Sequence, residues 1–288
     1  ERLPSRPPIA RFLPPSSRRV QAALAHDNVM TRTPWQIQKS VVFALFLREL
    51  KTRFGSYRFG YVWLLFEPLA HIIVLSLIFS QIRDRALFGI DFPVFIVTGI
   101  IPFLMFKNIA LRVMDGVDAN RALFAYRQIR PMDTFTARTL LDAFLAVAVY
   151  VLILIGMAWV GLDVPVRDPF SLILLMAALV LMGLGLGMIF CVFTHYMPEA
   201  KTMIRIAFLP VYMLSGIIFP VAMLPHEYLP ILLWNPLLHA IELMRGAFFD
   251  QYRVLPEISL LFVVMTMLVL LFFGLAWYRN KRQELLAT

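Results

Sequence analysis

Apolar residues gather along this chain into six runs, near 61–82, 93–113, 139–160, 170–194, a stretch closing at Phe219, and 258–278, with polar connections between them. Each run approaches the roughly 20 residues a helix needs to cross about 30 Å of hydrocarbon, so the pattern predicts six transmembrane helices. Ahead of them the pattern differs. Thr33 and Pro34 form a helix start, with Thr as N-cap and Pro at the first helical position. Phe43, Phe46, Leu47, Leu50 and Phe54 then recur at helical spacing, with Arg48, Lys51 and Thr52 on the other side, although Val41 and Leu45 blur the division. The run is too short to span and is closed by Arg48, Glu49, Lys51 and Arg53, which predicts a helix lying in the membrane interface.

Polar residues that interrupt the runs are the first candidates for function. Glu67 and Pro68 fall within two turns of the start of the first run, where Tyr61 and Trp63 are placed to anchor at headgroup level. Glu67 either pairs with Arg48 or Arg53 near the interface or lies on a transport path. Lys107, in the second run, is expected to snorkel. The connection at 114–138 holds Arg121, Arg127, Arg130 and Arg138, and Asp118 can cap a short helix over 119–128 that Pro131 closes, with Asp133 capping the next. Leu123, Phe124 and Tyr126 give this short helix an apolar side ringed by charge, the composition of a docking surface. Gly183, Gly185 and Gly187 follow no strand, so they read as small residues for close helix packing rather than as a dinucleotide fingerprint. Between the fifth and sixth runs, the segment 220–256 holds an apolar stretch too short to cross, then Asn235 and Pro236 as N-cap and first position of a new helix. On it His239, Glu242 and Arg245 share a face and can pair in sequence; they form either a stabilising polar face or a gate.

With 60% hydrophobic and only 16% charged residues, the chain is an all-α integral membrane protein rather than a soluble domain. The net charge of +9 is a topology signal, not a nucleic-acid stripe: most Lys and Arg fall on one side of the six runs, leaving Arg83, Arg85, Arg167, Arg245 and Arg253 on the other. Both termini are therefore expected in the cytoplasm. The single cysteine, Cys191, cannot form an internal disulfide. Residues 1–32, Pro- and Arg-rich and without a cleavable signal pattern, are expected to be a disordered cytoplasmic tail, followed by the amphipathic helix at 33–56 and a six-helix domain at 57–282. A sheltered path for a large polar substrate is easier to build between two such bundles than inside one, which predicts a homodimer.

The chain has no Walker A, HExxH, GxSxG or CxxC pattern, so no catalytic residues, metal ligands or cofactor site are expected. The runs RELKTRFGSYRFGYVWLLFEPL at 48–69, NRALFAYRQIRPMDTFTAR at 120–138 and NPLLHAIELMRGAFF at 235–249, in the order of six spans, resemble the ABC-2 type (type V) permease subunits of bacterial capsular polysaccharide exporters. The first run is also similar to O-antigen and teichoic acid exporters, which form the alternative within transport. A membrane transferase acting on a lipid-linked sugar, with Glu67, Asp142 or His239 as base, is the alternative outside it.

The resemblance implies an inner-membrane half-transporter that dimerises, pairs with two ATP-binding subunits carrying ATP and magnesium, and exports a lipid-linked polysaccharide. It further implies a periplasmic adaptor and an outer-membrane channel. Carried over, Arg48, Glu49, Lys51 and Arg53 with Asp118, Arg121, Leu123, Tyr126 and Arg127 would couple to the ATPase, and Asn235, His239, Glu242 and Arg245 would sit at the periplasmic mouth. A passing polysaccharide needs stacking faces and weak polar partners, for which Tyr61, Trp63, Phe66, Glu67, Phe103 and Phe106 are the candidate path.

Overall fold

The computed structural model describes residues 33–55, 60–80, 86–87, 89–125 and 129–287. The expected tail at 1–32, with Tyr126 and Arg127, lies outside the described residues. The chain is mostly helical and divides into two units, 1–40 and 41–288. In the first, Thr33 and Gln36 cap the start of helix α1 (Pro34–Gly55) reciprocally: Thr33 N–H donates to Gln36 Oε1 at 3.0 Å and Gln36 N–H to Thr33 Oγ1 at 3.3 Å.

The second unit continues α1 and adds α2 (Gly60–Ser80), a two-residue β1–β2 hairpin (Ala86–Leu87, Ile90–Asp91), α3 (Phe92–Met114), a 3₁₀ turn (Asp118–Ala125) and α4 (Pro131–Trp159). Then come α5 (Pro169–Tyr196), α6 (Ala200–Leu214), the short α7 (Leu229–Leu232), α8 (Pro236–Phe248) and α9 (Leu260–Ala287). Among the described residues, four helices are long and apolar enough to cross a membrane: α3, α4, α5 and α9. The other two expected spans are shorter, with an apolar stretch of Leu64–Phe79 in α2 and 15 residues in α6. The fifth run stops short of Phe219 because Gly216 turns into the left-handed region at φ 67° and Ser215 Oγ bonds back to Val211 O, an αL helix ending.

Helix α3 is the centre. Every residue from 94 to 103 is buried, and 78% of its apolar window is enclosed, against 11% for α9. The outward sides of α4, α5 and α9 carry Phe144, Leu152, Phe170, Ile173, Phe272 and Phe273 well exposed, a surface that suits lipid and not water. Helix α5 is wedged between α3 and α9 by its glycines. A Cβ on Gly187 would stand 2.6 Å from Val113 Cβ, and one on Gly183 3.1 Å from Phe106 O. On the opposite side a Cβ on Gly185 would stand 2.7 Å from the α9 backbone at Leu270, where Gly274 approaches Gly185 O in return. Bare backbones let three helices meet, as the small-residue reading requires.

Pro131 does not close the preceding helix. It opens α4 at the first helical position, where a missing N–H costs nothing, and Asp133 reaches back to accept the Arg130 N–H at 2.9 Å from within the first turn. The membrane-length helix therefore starts eight residues before the expected Thr139.

Replacing Gly185 with Leu should destabilise the folded chain in detergent by at least about 1–3 kcal/mol through overpacking. Gly156→Ala, at a helical site with nothing within 4 Å, should leave the unfolding midpoint unchanged or raise it. Thermal unfolding followed by circular dichroism separates the two.

Candidate functional site

The charged residues collect at the two ends of α3. Near its last turn, Glu49 of α1 is 7% exposed and its Oε1 accepts from Arg138 Nε at 2.9 Å and from Asn120 Nδ2 at 3.2 Å. Asn120, in the 3₁₀ turn, also accepts from Arg48 Nη1 at 2.9 Å and donates to Gly116 O at 3.0 Å. Arg138 Nη1 donates to Arg112 O at 2.8 Å. One turn along α1, Arg53 pairs with Asp142, whose Oδ1 also faces Arg112 Nε at 3.3 Å. Helix α1 is thus keyed to α3, α4 and the 3₁₀ turn through a polar seam.

This corrects the sequence picture of α1. The face against the bundle carries Leu45, Glu49, Arg53, Phe46 and Leu50, so two of the four charges that close the run, Glu49 and Arg53, face inward. Phe43 and Leu47, expected in one stripe with Phe46 and Leu50, stand 61% and 47% exposed. Carboxylate and guanidinium go inside here because each finds a partner on α4. Arg48, Lys51 and Arg121 remain exposed, while Leu123 is half-buried. Phe124 packs against the main core, contrary to an apolar side that faces no span. Asp118 faces Lys201 and, at 3.8 Å, Arg121.

Near the first turn of α3 lies the second cluster. Arg245, completely buried on α8, donates from Nη1 to Gly216 O at 2.7 Å and Glu242 Oε1 at 3.0 Å, and from Nη2 to Ile217 O at 2.8 Å. Its guanidinium lies 3.8 Å from the Phe95 ring centroid, a cation–π contact in a dry site. Glu242 also accepts from Tyr252 Oη, 2.8 Å from both carboxylate oxygens. Burial and the adjacent Glu242 charge push the Tyr252 phenol far above its ordinary range, so it stays a donor. Gly99 makes room: a Cβ there would stand 3.1 Å from Arg245 Nη2.

His239 does not join the pair as its spacing allowed. Its Nε2 lies 2.8 Å from Leu233 O and its Nδ1 accepts from Ser259 N–H at 3.0 Å, which fixes the neutral tautomer with the proton on Nε2. Asn235 caps α8 through Leu237 N–H at 3.0 Å, as expected, and its amide also ties to Leu214 O and Ser215 Oγ. The four residues read as a gate are here hydrogen-bonded into one brace, in which Arg245 Nε alone of the guanidinium nitrogens has no hydrogen-bond partner.

Of the path residues, Phe103 and Phe106 are buried in aromatic contacts with Tyr212 and Phe208. Phe66 is 53% exposed, and Glu67 lies 3.9 Å from Lys107 instead of Arg48 or Arg53. The side chains of Tyr61 and Trp63 lie outside the described residues. The structure therefore brings Glu67 together with Arg53 and Asp142 around one small cleft, with Lys107 facing Glu67, and leaves Phe103 and Phe106 in the core. Sequence reading missed Asn120, Phe95, Gly99 and Tyr252. A buried arginine needs a counter-charge and acceptors, but only contact at long range shows which residues supply them.

Glu242→Ala strips Arg245 and Tyr252 of their shared acceptor and should cost about 3–5 kcal/mol, the range for breaking one half of a buried pair. Arg121→Ala, half-exposed, should change stability by no more than about 0.5 kcal/mol. Protease resistance of the detergent-solubilised chain across a temperature series checks both.

The profile of the ABC-2 type transporter family matches residues 40–249, which include Glu49, Arg138, Glu242 and Arg245 of the two clusters. Over 90% of this chain and the whole of the relative, the sequence is 40% identical to the polysialic acid transport protein KpsM of Escherichia coli. It is 32% identical to the capsule polysaccharide export inner-membrane protein CtrC of Neisseria meningitidis serogroup A, over 83% of this chain and 90% of that one. With the capsule polysaccharide export inner-membrane protein BexB of Haemophilus influenzae it shares 30% identity over 88% of this chain and 96% of the relative. A membrane-length helical bundle with this end-to-end similarity belongs to the ABC-2 type transporter family.

Proposed function

We propose that this chain is the membrane-spanning permease subunit of a capsule polysaccharide exporter in the bacterial inner membrane. The observation that carries this is similarity running the full length of a polysialic acid transport protein, with Glu49, Arg138, Glu242 and Arg245 of the two polar clusters inside the region matched by the family. In this reading the chain crosses the membrane six times, α2 and α6 completing the set, and works as a homodimer with two ATP-binding subunits that supply ATP and magnesium. The Glu49 end faces the cytoplasm with both termini, and the Arg245 end faces the periplasm, where an adaptor and an outer-membrane channel would follow.

Geometry narrows the coupling residues. Glu49 and Arg53 are held inside the bundle, so the ATPase would meet the exposed Arg48, Lys51 and Arg121, and the inward seam would pass its movement to α3 and α4. A transferase is disfavoured by the same geometry. Both nitrogens of His239 are bonded, Asp142 Oδ1 is ion-paired with two arginines and Glu67 faces Lys107, so each of the three candidate bases already has a partner of opposite charge or a hydrogen bond.

Deleting the chain in its host and separating cytoplasm from cell surface tests the reading. Polysaccharide should accumulate inside and return to the surface with the wild-type chain, whereas Lys51→Glu with Arg121→Glu should restore less than about a tenth of it, a coupling loss of ordinary size. No polymer in either fraction would mean a biosynthetic enzyme, and unchanged surface polymer would overturn export.

A further inference from the structure

Helix α6 is held in an unusual way. Along its 15 residues only Ala200 and Phe208 are buried, while Met203, Ile206, Leu209 and Met213 are each more than 60% exposed. Its contacts with α3 run through Phe208 on Phe106 and Tyr212 on Phe103. Most of its surface is not gripped by this chain. Both of its ends are.

At one end, Lys201 and Arg205, one turn apart, reach two acids of the segment that leads into the 3₁₀ turn. Lys201 Nζ pairs with Asp118, and Arg205 Nη2 stands 2.7 Å from Asp115 Oδ2. The same segment meets the Glu49 seam through Asn120 and Gly116. At the other end, Asn235 holds Leu214 O and Ser215 Oγ, and Arg245 holds the carbonyls of Gly216 and Ile217. The two ends differ in kind. The Arg245 grip is completely buried and bonded through both Nη atoms, whereas the Lys201 and Arg205 pairs are partly exposed, with Arg205 at 54% and Asp118 at 49%.

Exposed ion pairs contribute little to folding stability. Two of them in parallel, each joining the same two elements, fix a relative orientation instead. We infer that Asp115, Asp118, Lys201 and Arg205 are coupling residues: they make α6 a strut that carries displacement of the 3₁₀ turn to the Arg245 brace at the opposite end. A rigid helix gripped at both ends and loosely packed between them moves as one body, so motion entering at Lys201 is delivered at Gly216 without passing through the core.

The inference rests on the export reading, and the test separates the two. The chain is purified with its ATP-binding subunit from host cells, and surface polysaccharide is measured in the same cells. Arg205→Glu, which turns attraction to Asp115 into repulsion, should reduce surface polysaccharide about fivefold or more, the lower range of a coupling free energy. The ATP-binding subunit should still copurify and hydrolyse ATP at the wild-type rate. Adding Asp115→Arg, which restores an ion pair of reversed polarity, should recover most of the export. Normal export by Arg205→Glu would overturn the strut, as would a defect that Asp115→Arg does not relieve, and loss of copurification would place Arg205 in the docking surface instead. If the wild-type chain neither copurified an ATPase nor restored surface polysaccharide, the export reading itself would fail.

Discussion

A charge inside a bundle of apolar helices is tolerated only when its partners are already in place, and Arg245 sets that condition for this chain. Its guanidinium takes two main-chain carbonyls, a carboxylate and an aromatic face, and each comes from a different part of the fold. Gly216 is in a left-handed turn that presents its carbonyl, Glu242 is one turn back on the same helix, and Phe95 and Gly99 line α3 one turn apart so that ring and gap face the same guanidinium. The end of α6, the start of α3 and the whole of α8 are positioned by one side chain. Truncating any partner leaves an uncompensated group in a dry site, which is why the cluster carries more energy than its number of bonds suggests.

The other end of α3 solves the same problem with more water. Glu49, Arg138 and Asn120 are buried, Arg48 is exposed, and the next pair out, Arg205 with Asp115, is partly exposed. The two ends of α3 thus differ in how far their charges are withdrawn from solvent.

Much of this was legible in the sequence, and what was not has a physical cause. Caps are local, so Thr33 and Asn235 were readable from a few residues, and the glycines of α5 were readable as packing residues because nothing strand-like precedes them. The direction of α1 was not, because its apolar residues and its charges are both spread around the helix, and pairing with Arg138 and Asp142 on α4 decides which face turns in. Pro131 was misread because proline both ends helices and starts them, and only Asp133 reaching back to Arg130 N–H distinguishes the two. The roles of Phe95, Gly99 and Tyr252 are non-local, since nothing in 92–114 announces that an arginine will rest on one of its rings.

The position of Arg245 in the chain also bears on how the protein is made. Phe95, Gly99, Gly216, Ile217 and Glu242 all precede it, so during synthesis the arginine emerges last among its direct partners, with Tyr252 still to follow. Until that moment the carbonyls of Gly216 and Ile217 lack their donor, and the turn after α6 is held through Asn235 on Leu214 O and Ser215 Oγ. A nascent chain that stops short of Arg245 therefore leaves those two carbonyls without their donor, and one late residue ties the end of α6 to α3 and α8 before Tyr252 and α9 are added.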